Sequence, residues 1–219
     1  MEKNWNTLPP PPQSFLDEHP ELPAIAGTLL YHRNLHTQKQ IDEFLNPDYS
    51  TDIHDPYLFQ DMEKAVTRIS LAIEQNEKIT VHGDYDADGV SGATILTNMF
   101  RSLSYLNSDV YIPHRETEGY GLNLNTITYL HEQGTKLVIT CDCGISNKPE
   151  VDLANELGVD VIITDHHSIP DVLPNAYAII HPKIDGESYP DKTLAGGAVA
   201  FKVAQAIFKK HAETHDTLP

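Results

Sequence analysis

From residue 78 onward, short runs rich in Val, Ile and Thr alternate with amphipathic stretches, and this alternation constrains the fold more than any other feature of the chain. The runs are KITV (78–81), SDVYI (108–112), KLVIT (136–140), VDVIIT (159–164) and AYAII (176–180). Helical patterns occupy 89–104, 123–133, 147–157 and 195–211. Strands with near-continuous apolar character are buried on both faces, and a helix between consecutive strands makes them parallel. Right-handed crossovers then place helices on both sides of the sheet. The expected fold class is α/β: a doubly wound, mainly parallel, five-stranded sheet with an N-terminal helical and Pro-rich extension. In that extension LPPPPQ (8–13) is a stiff polyproline-like spacer. LHTQKQIDEFLNP (35–47) is a short helix stopped by Pro47. DMEKAVTRISLAIEQNE (61–77) carries apolar residues at 62, 65, 66, 69, 72 and 73, which is helical spacing. The expected division is an extension over 1–60 and the α/β domain over 61–219.

Composition narrows the setting. The chain has 219 residues, of which 40% are hydrophobic, as expected of a globular protein. It contains no run of about eighteen apolar residues, so no membrane span is expected. The N-terminal stretch MEKNWNTLPPPPQSF has no basic patch followed by an apolar core and does not read as a signal peptide. Cys141 and Cys143 are the two cysteines, poorly spaced to staple a fold, which suits a reduced, cytoplasmic compartment. Asp and Glu number 32 against 15 Lys and Arg, a net charge of −17. Such a chain does not hold a polyanion by generalised charge; it needs bound metal and a few local cations.

In a parallel sheet, ligands bind beyond the carboxyl ends of the strands. Three polar clusters fall there. HGDYDADG (82–89) follows the first run, CDCG (141–144) the third and DHH (165–167) the fourth. Each alone has an ordinary reading, as a helix cap, a turn or a solvated loop. Together they crowd Asp84, Asp86 and Asp88 beside Asp142, Asp165, His166 and His167, with no Lys or Arg within the clusters. Adjacent carboxylates without a cation either take up protons or bind metal. Oxygen-rich sites with a few imidazoles suit Mn²⁺ or Mg²⁺ before Zn²⁺. The carboxylates suffice for two ions, and paired ions are a recurring device for phosphoester hydrolysis.

VHGDYDADG, VITCDCGIS, VIITDHH and LAGGAVAFK resemble, in order, successive motifs of the DHH phosphoesterase superfamily. The flanking stretches LNPDYSTDIHDPYLFQDMEKAVTRI (45–69), IPHRETEGYGLN (112–123) and AIIHPK (178–183) resemble its RecJ-type branch, the bacterial single-strand-specific 5′→3′ DNA exonucleases of repair and recombination. The resemblance covers roughly residues 28–208. It implies a metal-dependent phosphodiesterase acting on single-stranded DNA with a 5′ end, using two divalent ions, Mn²⁺ first and Mg²⁺ second. It implies that His82 and Asp86 hold one metal, Asp88 and His166 the other, and that Asp142 bridges both. His167 then touches the scissile phosphate, and Asp84 and Asp165 hold imidazoles or backbone in place. Arg115 is the expected contact for a terminal phosphate; an ion pair with Glu116 or Glu118 is the competing expectation. The family's further acidic motif, second domain and nucleic-acid-binding barrel do not follow, so the chain resembles an N-terminal piece of such a nuclease. Asp216 is not assigned to that motif. A catalytically silent metal-binding or interaction remnant, and a phosphatase for oligonucleotides or dinucleotides, are the alternatives.

The remaining features have plainer expectations. Cys141 and Cys143 are structural, and His114, His131 and His181 are surface or packing residues. Gly196 and Gly197 either offer backbone N–H groups to a phosphate or permit close helix–sheet packing.

Overall fold

The computed structural model describes residues 6–215, and side chains as far as 213. Asp216 lies outside the described residues. Backbone contacts divide the chain into two compact units, Met1–Ile53 and His54–Pro219.

The first unit holds three short helices, α1 (Gln13–Glu18), α2 (Ala24–Tyr31) and α3 (Gln38–Leu45). Phe15, Leu30 and Ile41 form its small core. The third helix was expected, and a reciprocal capping box between Thr37 and Gln40 starts it. The first two were not. Their N-caps are Pro12 and Pro23. Proline reads as a breaker, but at a helix start its missing N–H leaves no bond unmade.

The second unit opens with a 3₁₀ turn at Pro56–Leu58 and helix α4 (Met62–Glu74). There follow β1 (Lys78–Gly83), α5 (Ala87–Ser102), β2 (Ser108–Tyr111), α6 (Leu124–Glu132), β3 (Thr135–Cys141), α7 (Lys148–Glu156), β4 (Asp160–Thr164), β5 (Ala178–Ile180) and α8 (Gly196–His215). The five strands form one sheet in the order β2-β1-β3-β4-β5, with every pairing parallel. Successive side chains point to opposite faces. Ile79, Val81, Leu137, Ile139 and Ile162 pack with apolar residues of α4, α5 and α8. Val138, Val161 and Ile163 pack with those of α6 and α7. The sheet is therefore covered on both faces, as the apolar runs required.

Two aspects of this topology place the site. The strand order reverses between β1 and β3, which opens the crevice where doubly wound sheets bind ligands. The strand tips are also level. Gly83 pairs with Cys141, Cys141 with Thr164, and Thr164 with Ile180. The residues just past these tips, Asp84, Asp142, Asp165 and His181, thus form one row. The ladder runs one step into it: Asp84 N–H donates to Cys141 O (3.2 Å), Asp142 N–H to Thr164 O (3.0 Å) and Asp165 N–H to Ile180 O (3.2 Å).

At the opposite end of the sheet, Arg68 of α4 is buried and donates to Glu77 (2.7 Å) and Asp160 (2.6 Å), tying α4 to the entries of β1 and β4. Both carboxylates keep contact with water, which moderates the strength of the network. Arg68→Ala should cost about 1.5 kcal/mol, the lower end for charge-assisted hydrogen bonds, read as a lower urea midpoint with an unchanged m-value.

Candidate metal centre

The polar segments leave the sheet at the crevice. Asp86 caps α5, accepting from Asp88 N–H (2.9 Å) and Gly89 N–H (3.0 Å). Those amides, with burial opposing, hold its carboxyl below the usual range. Asp88, in the first turn of α5, accepts from Gly196 N–H (2.7 Å) and Gly197 N–H (2.5 Å) at the start of α8. Neither expectation for these glycines therefore holds in full: their amides bind the chain's own Asp88 rather than standing free for a phosphate. Close approach matters as well. A Cβ on Gly196 would fall on the Asp142 carboxylate, and one on Gly89 would lie 2.5 Å from Asp84 N.

Asp142 takes a left-handed backbone conformation (φ 62°), which Asp tolerates better than most residues. It is 1% exposed, and its Oδ1 has no hydrogen-bond partner. Burial, reinforced by the Asp88 charge, pushes its carboxyl up to about 7. His166 Nε2 lies 3.1 Å from Asp142 Oδ1 and 3.6 Å from Asp88 Oδ2. Two groups of side chains bring their ligand atoms within 4.8 Å of one another: Asp84, Asp86 and Asp142, and Asp142, His166 and His167. Asp142 belongs to both.

Asp165 is as buried as Asp142 but fully engaged. It accepts from Ile145 N–H (3.0 Å), His166 N–H (2.7 Å) and His167 N–H (3.2 Å), and lies 2.7 Å from His167 Nδ1. Burial depresses the His167 imidazole, but the bond and charge of Asp165 outweigh it and leave the ring more basic than usual. Asp84 is also buried, and its Oδ1 has no partner; burial raises its carboxyl. It stands beside Asp86 and Asp142 rather than behind an imidazole. His82, inside β1, is fully buried, with Nδ1 3.8 Å from Cys143 Sγ and Nε2 unpartnered. Burial lowers its pKa to about 4, so the ring is neutral and free to ligate.

The residues present fit a divalent cation. Two buried oxygens without hydrogen-bond partners, Asp84 Oδ1 and Asp142 Oδ1, belong to these clusters, and His82 Nε2, inside β1, is a third buried polar atom without one. Leaving such groups unmade is costly unless a ligand completes them.

Arg115 is exposed and forms no ion pair among the described residues; its guanidinium lies over the Tyr85 ring at 4.9 Å from the centroid. The ion pair with Glu116 or Glu118 does not form. Glu118 instead accepts from Tyr111 Oη, Thr126 Oγ1 (3.1 Å) and His114 N–H (2.7 Å). Sequence reasoning missed Tyr120, whose hydroxyl donates to Asp142 O (2.9 Å) and lies 3.1 Å from His167 Nδ1. Its position in HRETEGYG, two residues after Glu118, carried no signal for that contact.

Two substitutions separate function from stability here. Asp142→Asn removes a buried charge repelled by Asp88, so the metal-free unfolding midpoint should rise by about 2–4 °C, the shift expected for about 1 kcal/mol at this size, while Mn²⁺ uptake in calorimetry falls. Gly196→Ala should lower both, because its methyl displaces the Asp142 carboxylate.

The chain is 43% identical over 192 residues to the single-stranded-DNA-specific exonuclease RecJ of Bacillus subtilis, covering 88% of this chain and 24% of that protein. It is 36% identical to the Escherichia coli RecJ, over 88% of this chain and 33% of the relative. The chain thus spans about a quarter to a third of the length of these curated relatives. The crystal structure of Thermus thermophilus RecJ in complex with Mn²⁺ superposes with a TM-score of 0.70 at 27% identity, covering 94% of this chain and 28% of that one. The model of the DHH family, N-terminal domain, matches residues 78–218, from the first residue of β1 past the described end of α8. Every strand tip of the centre falls inside that match, and the chain belongs to the DHH family.

Proposed function

We propose that this chain carries the metal-dependent phosphodiesterase centre of a single-strand-specific 5′→3′ DNA exonuclease, acting in DNA repair and recombination in a reduced, cytoplasmic setting. The observation that carries this reading is Asp142, shared by two clusters of ligand atoms, with a buried Oδ1 that accepts no hydrogen bond although His166 Nε2 stands 3.1 Å from it. The RecJ relatives support the substrate class. The free, buried Cys141 and Cys143 suit the compartment. Among the described residues, no helix is long and apolar enough to cross a membrane.

Two divalent ions, Mn²⁺ ahead of Mg²⁺, complete the centre. Asp86 and Asp142 would hold one, with Asp84 a further oxygen in the same cluster and His82 the nitrogen that the family resemblance adds. Asp88, His166 and Asp142 would hold the other. Divalent ions there would supply Lewis acidity, neutralising charge on phosphate oxygens and activating water. The chain's own residues do the rest. Asp165 fixes the His167 ring through Nδ1, leaving Nε2 for an oxygen of the scissile phosphate. Tyr120 ties His167 to the Asp142 backbone. Arg115, with no carboxylate partner, receives the terminal phosphate at the 5′ end, where a bidentate guanidinium is the suited group.

The test uses 5′-labelled single-stranded and duplex DNA with Mn²⁺, Mg²⁺ or chelator. The expected outcome is metal-dependent release of 5′ nucleotides from the single strand, reduced at least about 100-fold in Asp142→Ala. Equal cleavage by the variant would overturn the assignment of Asp142. Mn²⁺ uptake without cleavage of any strand would make the chain a metal-binding module. Faster hydrolysis of a dinucleotide than of a long strand would make it a small-substrate phosphatase.

A further inference from the structure

His181 and Lys183 belong to neither ligand cluster, yet both reach the backbone of the DHH triplet. His181 is the fourth residue of the row past the strand tips, directly after β5, because Thr164 pairs with Ile180. It is fully buried. Its Nε2 lies 3.0 Å from His167 O, and its Nδ1 lies 3.1 Å from Lys183 N. The Lys183 ammonium donates to His166 O. One turn, His181-Pro182-Lys183, therefore holds the carbonyls of two consecutive residues whose imidazoles face Asp142.

We propose that His181 and Lys183 are positioning residues that lock the backbone of His166 and His167, and so set where the His166 imidazole meets the metal and where the His167 imidazole stands beside it. The inference rests on the metal-centre reading above. The hydrogen bonds fix the tautomer of His181. A backbone N–H can only donate, so Nδ1 accepts and carries no hydrogen; a carbonyl oxygen can only accept, so Nε2 carries it. A hydrogen on Nδ1 would forfeit the Lys183 N–H bond. Side-chain bonds from Asp165 orient the same loop from the sheet side through His166 N–H and His167 N–H. The triplet is thus gripped through its amides by Asp165 and through its carbonyls by His181 and Lys183. Partners one layer behind a ligand are what fix ligand orientation and tune metal affinity.

The test measures Mn²⁺ affinity by calorimetry and metal-free unfolding midpoints for the chain and three variants. His181→Phe removes both bonds and should weaken Mn²⁺ about tenfold. His181→Gln keeps a donor for the carbonyl and should stay within about threefold of the parent. Lys183→Met alters an exposed side chain, keeps the fold if His181→Phe does not, and should weaken Mn²⁺ several-fold with an unchanged unfolding midpoint. Two-bond ¹H–¹⁵N spectra of the metal-free chain should show His181 neutral with its hydrogen on Nε2. Parent-like affinity in both His181→Phe and Lys183→Met, or a hydrogen on Nδ1, would overturn the inference. If the parent chain takes up no Mn²⁺, the metal reading fails, and the tautomer still decides whether the clamp exists.

Discussion

The level register of the parallel strands is the constraint on which the rest of this structure depends. Gly83, Cys141, Thr164 and Ile180 end their strands side by side. The chain then places an Asp, an Asp, an Asp and a His in the next positions, each of the three carboxylates on a residue whose N–H closes one more rung of the ladder. Because side chains alternate along a strand, a slip of one residue in any pairing would turn its members to the other face. The register is held by the two apolar layers on either side of the sheet. The hydrophobic core and the polar row are thus one arrangement: burying Val81, Ile139 and Ile163 is what brings the carboxylates together.

Bringing them together costs energy, and backbone amides offset much of it. Asp86 takes the first amides of α5, Asp88 those of α8, and Asp165 three amides of the two loops around it. Helix N-termini stabilise negative charge through their unpaired N–H groups and the helix dipole. This explains how a chain with net charge −17 keeps an acidic cluster in place with no Lys or Arg in it. It also separates net charge from local field. A cluster whose carboxylates are already ordered receives a dication without first having to collect its ligands, and the bound charge then governs what approaches the crevice.

Much of this was legible in the sequence, and the part that was not has a common cause. The five strands announced themselves because Val and Ile runs flanked by helices have one good solution. The three clusters could be placed because parallel sheets deliver polar residues at their tips. By contrast α1 and α2 were hidden by the prolines that start them, since proline before a helix and proline in a spacer look alike. The pairing of Gly196 and Gly197 with Asp88 spans more than a hundred residues and is made by backbone, so no side-chain pattern signals it. Tyr120 and His181 also act on carbonyl oxygens. A contact to a carbonyl is blind to the identity of the residue that owns it, and only the tertiary structure reveals it.

Hydrogen bonding, and not burial, is what distinguishes the carboxylates of the row. Asp142 and Asp165 are both 1% exposed, both follow a strand tip and both donate their N–H to the neighbouring strand. By residue type, spacing and accessibility they are the same. Yet Asp165 is satisfied at both oxygens, whereas Asp142 keeps Oδ1 without a partner. A satisfied buried carboxylate has spent its lone pairs on holding the fold, and a cation gains little by displacing those amides. An unsatisfied one carries a desolvation penalty that a cation relieves. By that criterion Asp84, buried with a free Oδ1, sides with Asp142, although its place in the sequence had grouped it with Asp165. Among the buried acids of the row, the one that orders its loop and the two that keep a free oxygen are thus separated by where the backbone amides point, a property of the folded chain that no spacing of Asp residues encodes.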